Sequence, residues 1–258
     1  MVRATTWWLL LLAGGLAACQ KELQPGTGVP TGSFGLNIRF DPVVDGRPLL
    51  FGGTYTNFFG EPYTIKTFKF YISQIDLVGA DGSLHKTDRA NYYLINEADS
   101  TGTVIRLNPP ARDWGQLAFV IGVDSAKNVS GAQTGALDPA NGMFWTWNSG
   151  YIMAKLEGSS PLSGAPDNRI EYHIGGFKEP ANVARRVVLP LSSVQHAPFL
   201  AGSLNTMTVT ANVNAWFHDP FELRIAKTPV WMTPGDTSKR IAENYARMFA
   251  VTNIVRNQ

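Results

Sequence analysis

Residues 34–40 read Phe-Gly-Leu-Asn-Ile-Arg-Phe, placing Phe34, Leu36, Ile38 and Phe40 at every second position with small or polar residues between them. Successive side chains of an extended chain point to opposite faces, so this register predicts a strand that is apolar on one face and polar on the other. Met207, Val209, Ala211 and Val213 repeat the pattern far along the chain. Further strand-like runs cover Thr67 to Val78, Tyr92 to Ile95, Leu117 to Val123, Tyr151 to Leu156, Arg169 to Ile174, Arg186 to Leu191 and Phe221 to Ile225, separated by turns rich in Gly, Pro, Asp and Asn. Ala80-Asp81-Gly82-Ser83 is a compact hairpin signal. Helical periodicity emerges only near the end, where Thr237 or Ser238 can cap a helix carrying Ile241, Tyr245, Met248 and Thr252 on one side. The pattern predicts an all-β fold, an antiparallel β-sandwich or barrel with long loops and a short C-terminal helix.

Composition supports one packed body. Of 258 residues, 44% are apolar and only 16% charged, with a net charge of +2. No basic stripe of the kind that tracks phosphates is present, so nucleic acid is not an expected partner. No internal repeat is visible, and residues 33–258 are read as a single β domain.

The N-terminus reads as an export signal. Arg3 supplies a positive start, Trp7 to Leu12 an apolar run too short to span a bilayer, and Leu16-Ala17-Ala18-Cys19 a small-residue cleavage site ending in cysteine. Residues 1–18 are therefore expected to be a lipoprotein signal peptide. Cys19 would then become the lipidated first residue, and residues 19–32, rich in Gly and Pro, a flexible tether. Gln20 is not the aspartate that retains lipoproteins at the inner membrane, which favours an outer-membrane lipoprotein facing the periplasm or the surface. Cys19 is the single cysteine of the chain. The domain beyond it accordingly has no disulfide, thiolate metal ligand or cysteine nucleophile.

The segment from Val123 to Asn148 is too long for a hairpin turn and is expected to be a structured functional loop. Asp124, Asn128, Asp138 and Asn141 offer oxygen donors, either to a calcium ion or to the backbone as caps and turns; their spacing is not that of an EF-hand. If residues 143–147 are extended, Met143, Trp145 and Trp147 share one face. They would then be core filler or the wall of a site. Downstream, Ile170, Tyr172 and Ile174 alternate with Glu171 and His173, so His173 lies opposite the apolar face, solvated or free to bind.

Several stretches together resemble the MbnP-like family, associated with methanobactin copper handling and related in kind to MopE and CorA. They are FKFYISQIDL, IGVDSAKNVSG, GALDPANGMFWTWNSGYIMAKLEG, EYHIGG and the terminal IAENYARMFAV. The resemblance implies an all-β, periplasmic or surface-exposed protein that binds copper. It also implies that one tryptophan is opened oxidatively to kynurenine by a partner di-haem enzyme of the bacterial cytochrome c peroxidase and MauG class (MbnH-type). Without a thiolate, copper must be held by imidazole, thioether or oxygen and nitrogen donors, and only His85, His173, His196 and His218 supply imidazole. His173, in a matching strand, is the foremost candidate, with Met143, Trp145 and Trp147 as a wall. Trp216 and His218 form a Trp-x-His pair that would share a face in an extended segment. His85 and His196 read as solvated loop residues.

Two other classes compete with this reading. A lipid-anchored carbohydrate-binding or adhesion module would stack sugars on Trp145 and Trp147. Glu157 and Glu171 could in principle form a glycosidase pair, though isolated strand carboxylates are usually solvated or salt-bridged, and the chain has no nucleophile elbow, HExxH or phosphate loop. A binding protein is therefore expected rather than an enzyme.

Overall fold

The computed structural model describes residues 32–257 except 88, 99–103, 148 and 149. Cys19, the expected signal peptide and all of the tether but Gly32 lie outside the described residues, as does Asn148. The principal strands are β1 (Gly35–Val44), β2 (Pro62–Gly79), β3 (Tyr92–Asn96), β4 (Val104–Leu107), β5 (Trp114–Ile121), β6 (Gly150–Ser159), β7 (Arg169–Gly175), β8 (Arg185–Pro190), β9 (Leu204–Asn212) and β10 (Phe249–Asn257). Two α-helices, α1 (Ser125–Val129) and α2 (Asp236–Tyr245), join them.

The strands form two mixed sheets. In the smaller, β10, β9 and β1 lie side by side, and β4 pairs with the other edge of β1. In the larger, which curls into a half-barrel, the order is β8, β5, β2, β6, β7. Pairing is antiparallel apart from β1 with β9 and β7 with the short strand Val230–Trp231. A parallel neighbour for β1 follows from the chain leaving β1 for the larger sheet and returning at β9 in the same direction.

The alternation at residues 34–40 drives the packing. Leu36, Ile38 and Phe40 of β1 and Met207, Val209 and Ala211 of β9 are buried against Phe68, Phe70, Leu117 and Phe119 of the larger sheet. Phe40 and Phe249 from the smaller sheet meet Phe70 and Phe119 from the larger at ring separations of 5.1–6.0 Å, edge to face. Such pairs add about 0.5–1.5 kcal/mol each beyond the area they bury.

Strand β2 is the spine. Its first half pairs with β6 and its second with β5, and the change of neighbour coincides with a register break between Ser73 and Asp76 where Gln74 adopts a φ of 50°. The hairpin expected at Ala80 to Ser83 is present, closed by the Gly82 amide donating to the Gly79 carbonyl and the Ser83 amide to the Asp81 carboxylate.

Three expectations are corrected. Phe221 to Ile225 is an irregular segment and not a strand, because its amides are used elsewhere: Leu223 donates to the Phe217 carbonyl, and Ile225 and Ala226 donate to the buried carboxylate of Glu61. The terminal helix is capped by Gly235, while Ser238 is buried within it and donates to the Thr233 carbonyl. Met248 and Thr252 do not extend that helix, since the chain reverses at Ala246 to Met248 and re-enters the smaller sheet as β10, against β9.

Candidate functional site

The outer face of the larger sheet carries the polar side chains of β6 and β7. Lys155 lies opposite His173 and Glu157 opposite Glu171. His173 Nε2 is 2.7 Å from Glu157 Oε1, and the histidine side chain is 14% exposed. Lys155 Nζ stands 3.5 Å from the same carboxylate oxygen. The hydrogen bond from His173, with help from Thr67 and Lys155, outweighs burial and holds the Glu157 carboxyl down at about 2. Nδ1 of His173 has no hydrogen-bond partner among the described residues.

The long loop is fastened across this face. Lys69 and Lys155 are neighbours on β2 and β6, and their ammonium groups donate to the carbonyls of Asn141 and Gly142. Burial first, and the Lys155 charge second, push Lys69 below the usual lysine range. So placed, the segment continues as a two-residue strand, Phe144–Trp145, against the start of β6. The Trp145 ring lies over Gly175, where a Cβ would come within 2.6 Å of ring carbon Cζ3. Gly175 and His173 are two positions apart on one strand, so Trp145 covers the sheet about 7 Å along the same face from His173.

Met143, Trp145 and Trp147 do not form one continuous wall. Met143 and Trp145 are buried, while Trp147 is 62% exposed because the chain turns at Thr146. Trp147 still touches Trp145, with ring centroids 5.2 Å apart. The Trp145 indole N–H is buried without an acceptor among the described residues.

The shared face expected for Trp216 and His218 does not form. Residues 213–217 make a 3-10 helix, which sends Trp216 into the core against Phe68 and Tyr245, while His218 is half-buried against Phe58 beside a surface cavity. The Trp216 N–H is likewise buried without an acceptor. His85 sits on the short strand Leu84–Lys86, half-buried against Trp114, rather than in a loop. His196 packs on Phe199. Among the described residues no three His, Cys, Asp or Glu side chains converge as a ready-made metal cluster.

The Asp and Asn side chains of the loop are engaged with the chain itself. Asp124 caps α1 by accepting from the Lys127 amide and also accepts from the Tyr92 hydroxyl. Asn128 donates to the carbonyls of Val123 and Asp124 and accepts from the Tyr151 amide. Asp138 accepts from the Ala140 amide, and Asn141 donates to the carbonyls of Gly135 and Ala136. Glu171 is paired with Arg169.

Sequence reasoning did not single out Lys69, Lys155 or Gly175. Period-two spacing places Lys69 and Lys155 on polar faces, but only the strand register brings them beneath the loop.

A family model described as MbnP matches residues 33–233. Among solved structures, MbnP from Methylosinus trichosporium superposes with a TM-score of 0.50 at 17% identity, covering 77% of this chain and 80% of that chain. Likeness at that level of identity shows the fold alone. No curated protein matches the chain.

Proposed function

The chain belongs to the MbnP family, and on that premise we propose that it is a copper-binding protein of the bacterial envelope, tethered to the outer membrane through lipidated Cys19. Copper is the cargo, and His173 is its principal ligand. The observation that carries this reading is the His173–Glu157 pair: one ring nitrogen is held by a carboxylate and the other is left without a partner. Metal-binding histidines characteristically have the second nitrogen anchored in this way, which fixes the tautomer and raises the basicity of the ligating atom. The donor set suits copper without a thiolate, because imidazole is a good ligand for it and the adjacent anion offsets the Lys155 charge.

Trp145 supplies the second half of the site. Cleavage of its indole between C2 and C3, with loss of C2, would leave an aryl amine and a ketone, turning a packing residue into a donor group on the face that carries His173. A di-haem enzyme of the cytochrome c peroxidase and MauG class is the proposed catalyst, with peroxide as the oxidant that opens C2–C3 to an N-formyl ketone and water then releasing C2 as formate. The orphaned N–H of Trp145 favours it over Trp147, and Trp216 has only the core around it. The protein is proposed to bind rather than catalyse. Glu157, held near 2, is a poor general acid, whereas a glycosidase acid needs a raised value.

Equilibrium dialysis with copper tests the first half. We expect a stoichiometric site that His173→Ala abolishes, and saturable binding unaffected by that change would refute the assignment. Intact-mass analysis of protein from the native host tests the second, with loss of one carbon and gain of one oxygen mapping to the peptide containing Trp145. Unmodified tryptophan there would remove the kynurenine.

A further inference from the structure

Bordered by the Phe144–Trp145 strand is a cavity of about 530 Å3. Its walls are the rings of Phe144, Trp145 and Phe177 with Val129, Ala181 and Pro234, and its size lies within the usual range for small-molecule sites. Two features keep it open. Gly131 and Gly150 line it without side chains, and a Cβ on Gly150 would press within 3.3 Å of the Phe177 ring. Lys178 is the one charged residue among the described residues of the lining, and it makes no ion pair with any of them; its ammonium sits 5.4 Å from the centroid of the Phe177 ring. Both ends of the Asn128 carboxamide are already bonded to backbone.

We propose that this cavity is a binding site for a flat aromatic carboxylate. Three aromatic walls fit a planar apolar body, and the ammonium of Lys178 fits one anionic acceptor. The proposal is independent of copper and asks of Trp145 only an aromatic wall.

The test is calorimetric titration of residues 19–258 carrying Cys19→Ser, which retain every described residue and need no detergent. The ligand is 1-naphthoate, with naphthalene-1-methanol and octanoate as controls, all without copper. We expect saturable one-site binding of 1-naphthoate, weakened about tenfold by Lys178→Met, the loss of one charge-assisted contact. The neutral alcohol should bind more weakly and be indifferent to that change. Lys178 is exposed, so its variant reports on the ligand and not on folding. Absence of saturable binding, equal affinity for the alcohol, preference for octanoate, or indifference of 1-naphthoate to Lys178→Met would each overturn the proposal.

Discussion

Glu157 is the residue whose ionisation ties the outer face together. Its carboxylate accepts from His173, and the interaction lowers its titration from an ordinary 4.5 to about 2. The folded value is the depressed one, so the stabilisation is complete above about pH 4.5 and is lost as the pH falls through about 2. The side chain is 28% exposed, so solvent screening reduces the contribution to about 1–2 kcal/mol. Glu157→Gln should therefore lower stability at pH 7 by about that amount. The deficit should shrink as both proteins are acidified between pH 4.5 and 2. Urea midpoints measured across that range check this, and a deficit that stays constant down to pH 2 would show that Glu157 acts through packing alone. At this scale the sequence was partly readable. Period two placed His173 on the polar face, as it is, but the Glu157 partnership depends on the register of β6 against β7 and has no local signature. Trp145 and Trp147 differ in burial because of one turn at Thr146, which spacing alone does not reveal.

The strands of the larger sheet approach one another most closely at Gly158. At the register break between Glu157 and Gly158, β6 passes so near β2 that a Cβ on Gly158 would lie 1.8 Å from the Thr64 carbonyl oxygen. Backbone on the facing strand cannot swing aside as a side chain can. Gly158→Ala should consequently cost about 3 kcal/mol or more and lower Tm by roughly 6 °C or more. Gly164→Ala, where a Cβ meets nothing within 4 Å, should stay within about 0.5 kcal/mol. Thermal melts of both variants decide it, and similar Tm values would mean that β6 relaxes away from β2. Strands that bury one face were legible because alternation is enforced by burial: β1, β2, β6, β7 and β9 coincide with the apolar register. What escaped was β4, four residues long and too short for a pattern, and β10, whose preceding Ile241, Tyr245 and Met248 continue a helical spacing past the point where the chain turns. Phe221 to Ile225 has strand-like composition, yet Glu61 takes the amides that a ladder would use.

The family match ends at residue 233, but the molecule does not close there. Helix α2 buries Ile241, Ala242 and Tyr245, and the Tyr245 hydroxyl donates to the Val183 carbonyl beside β8. Strand β10 completes the smaller sheet along β9, and its Phe249 contacts Phe40, Phe70 and Phe119, the cluster where the two sheets meet. Burial of Ile241, Tyr245, Met248, Phe249, Val251 and Ile254 is worth on the order of 10 kcal/mol at about 1.5–3 kcal/mol for each fully buried side chain. That matches the whole net stability of a typical domain, roughly 5–15 kcal/mol. A chain ended at Thr233 should therefore lose cooperative unfolding and expose apolar surface, although it keeps His173, Glu157 and Trp145. Adding residues 234–258 back as a separate peptide offers β9 its partner strand again and should restore part of the transition. Calorimetry of the shortened chain with and without that peptide measures both effects. A sharp transition in the shortened chain alone would place the folding unit within residues 33–233 and reduce α2 and β10 to an appendage.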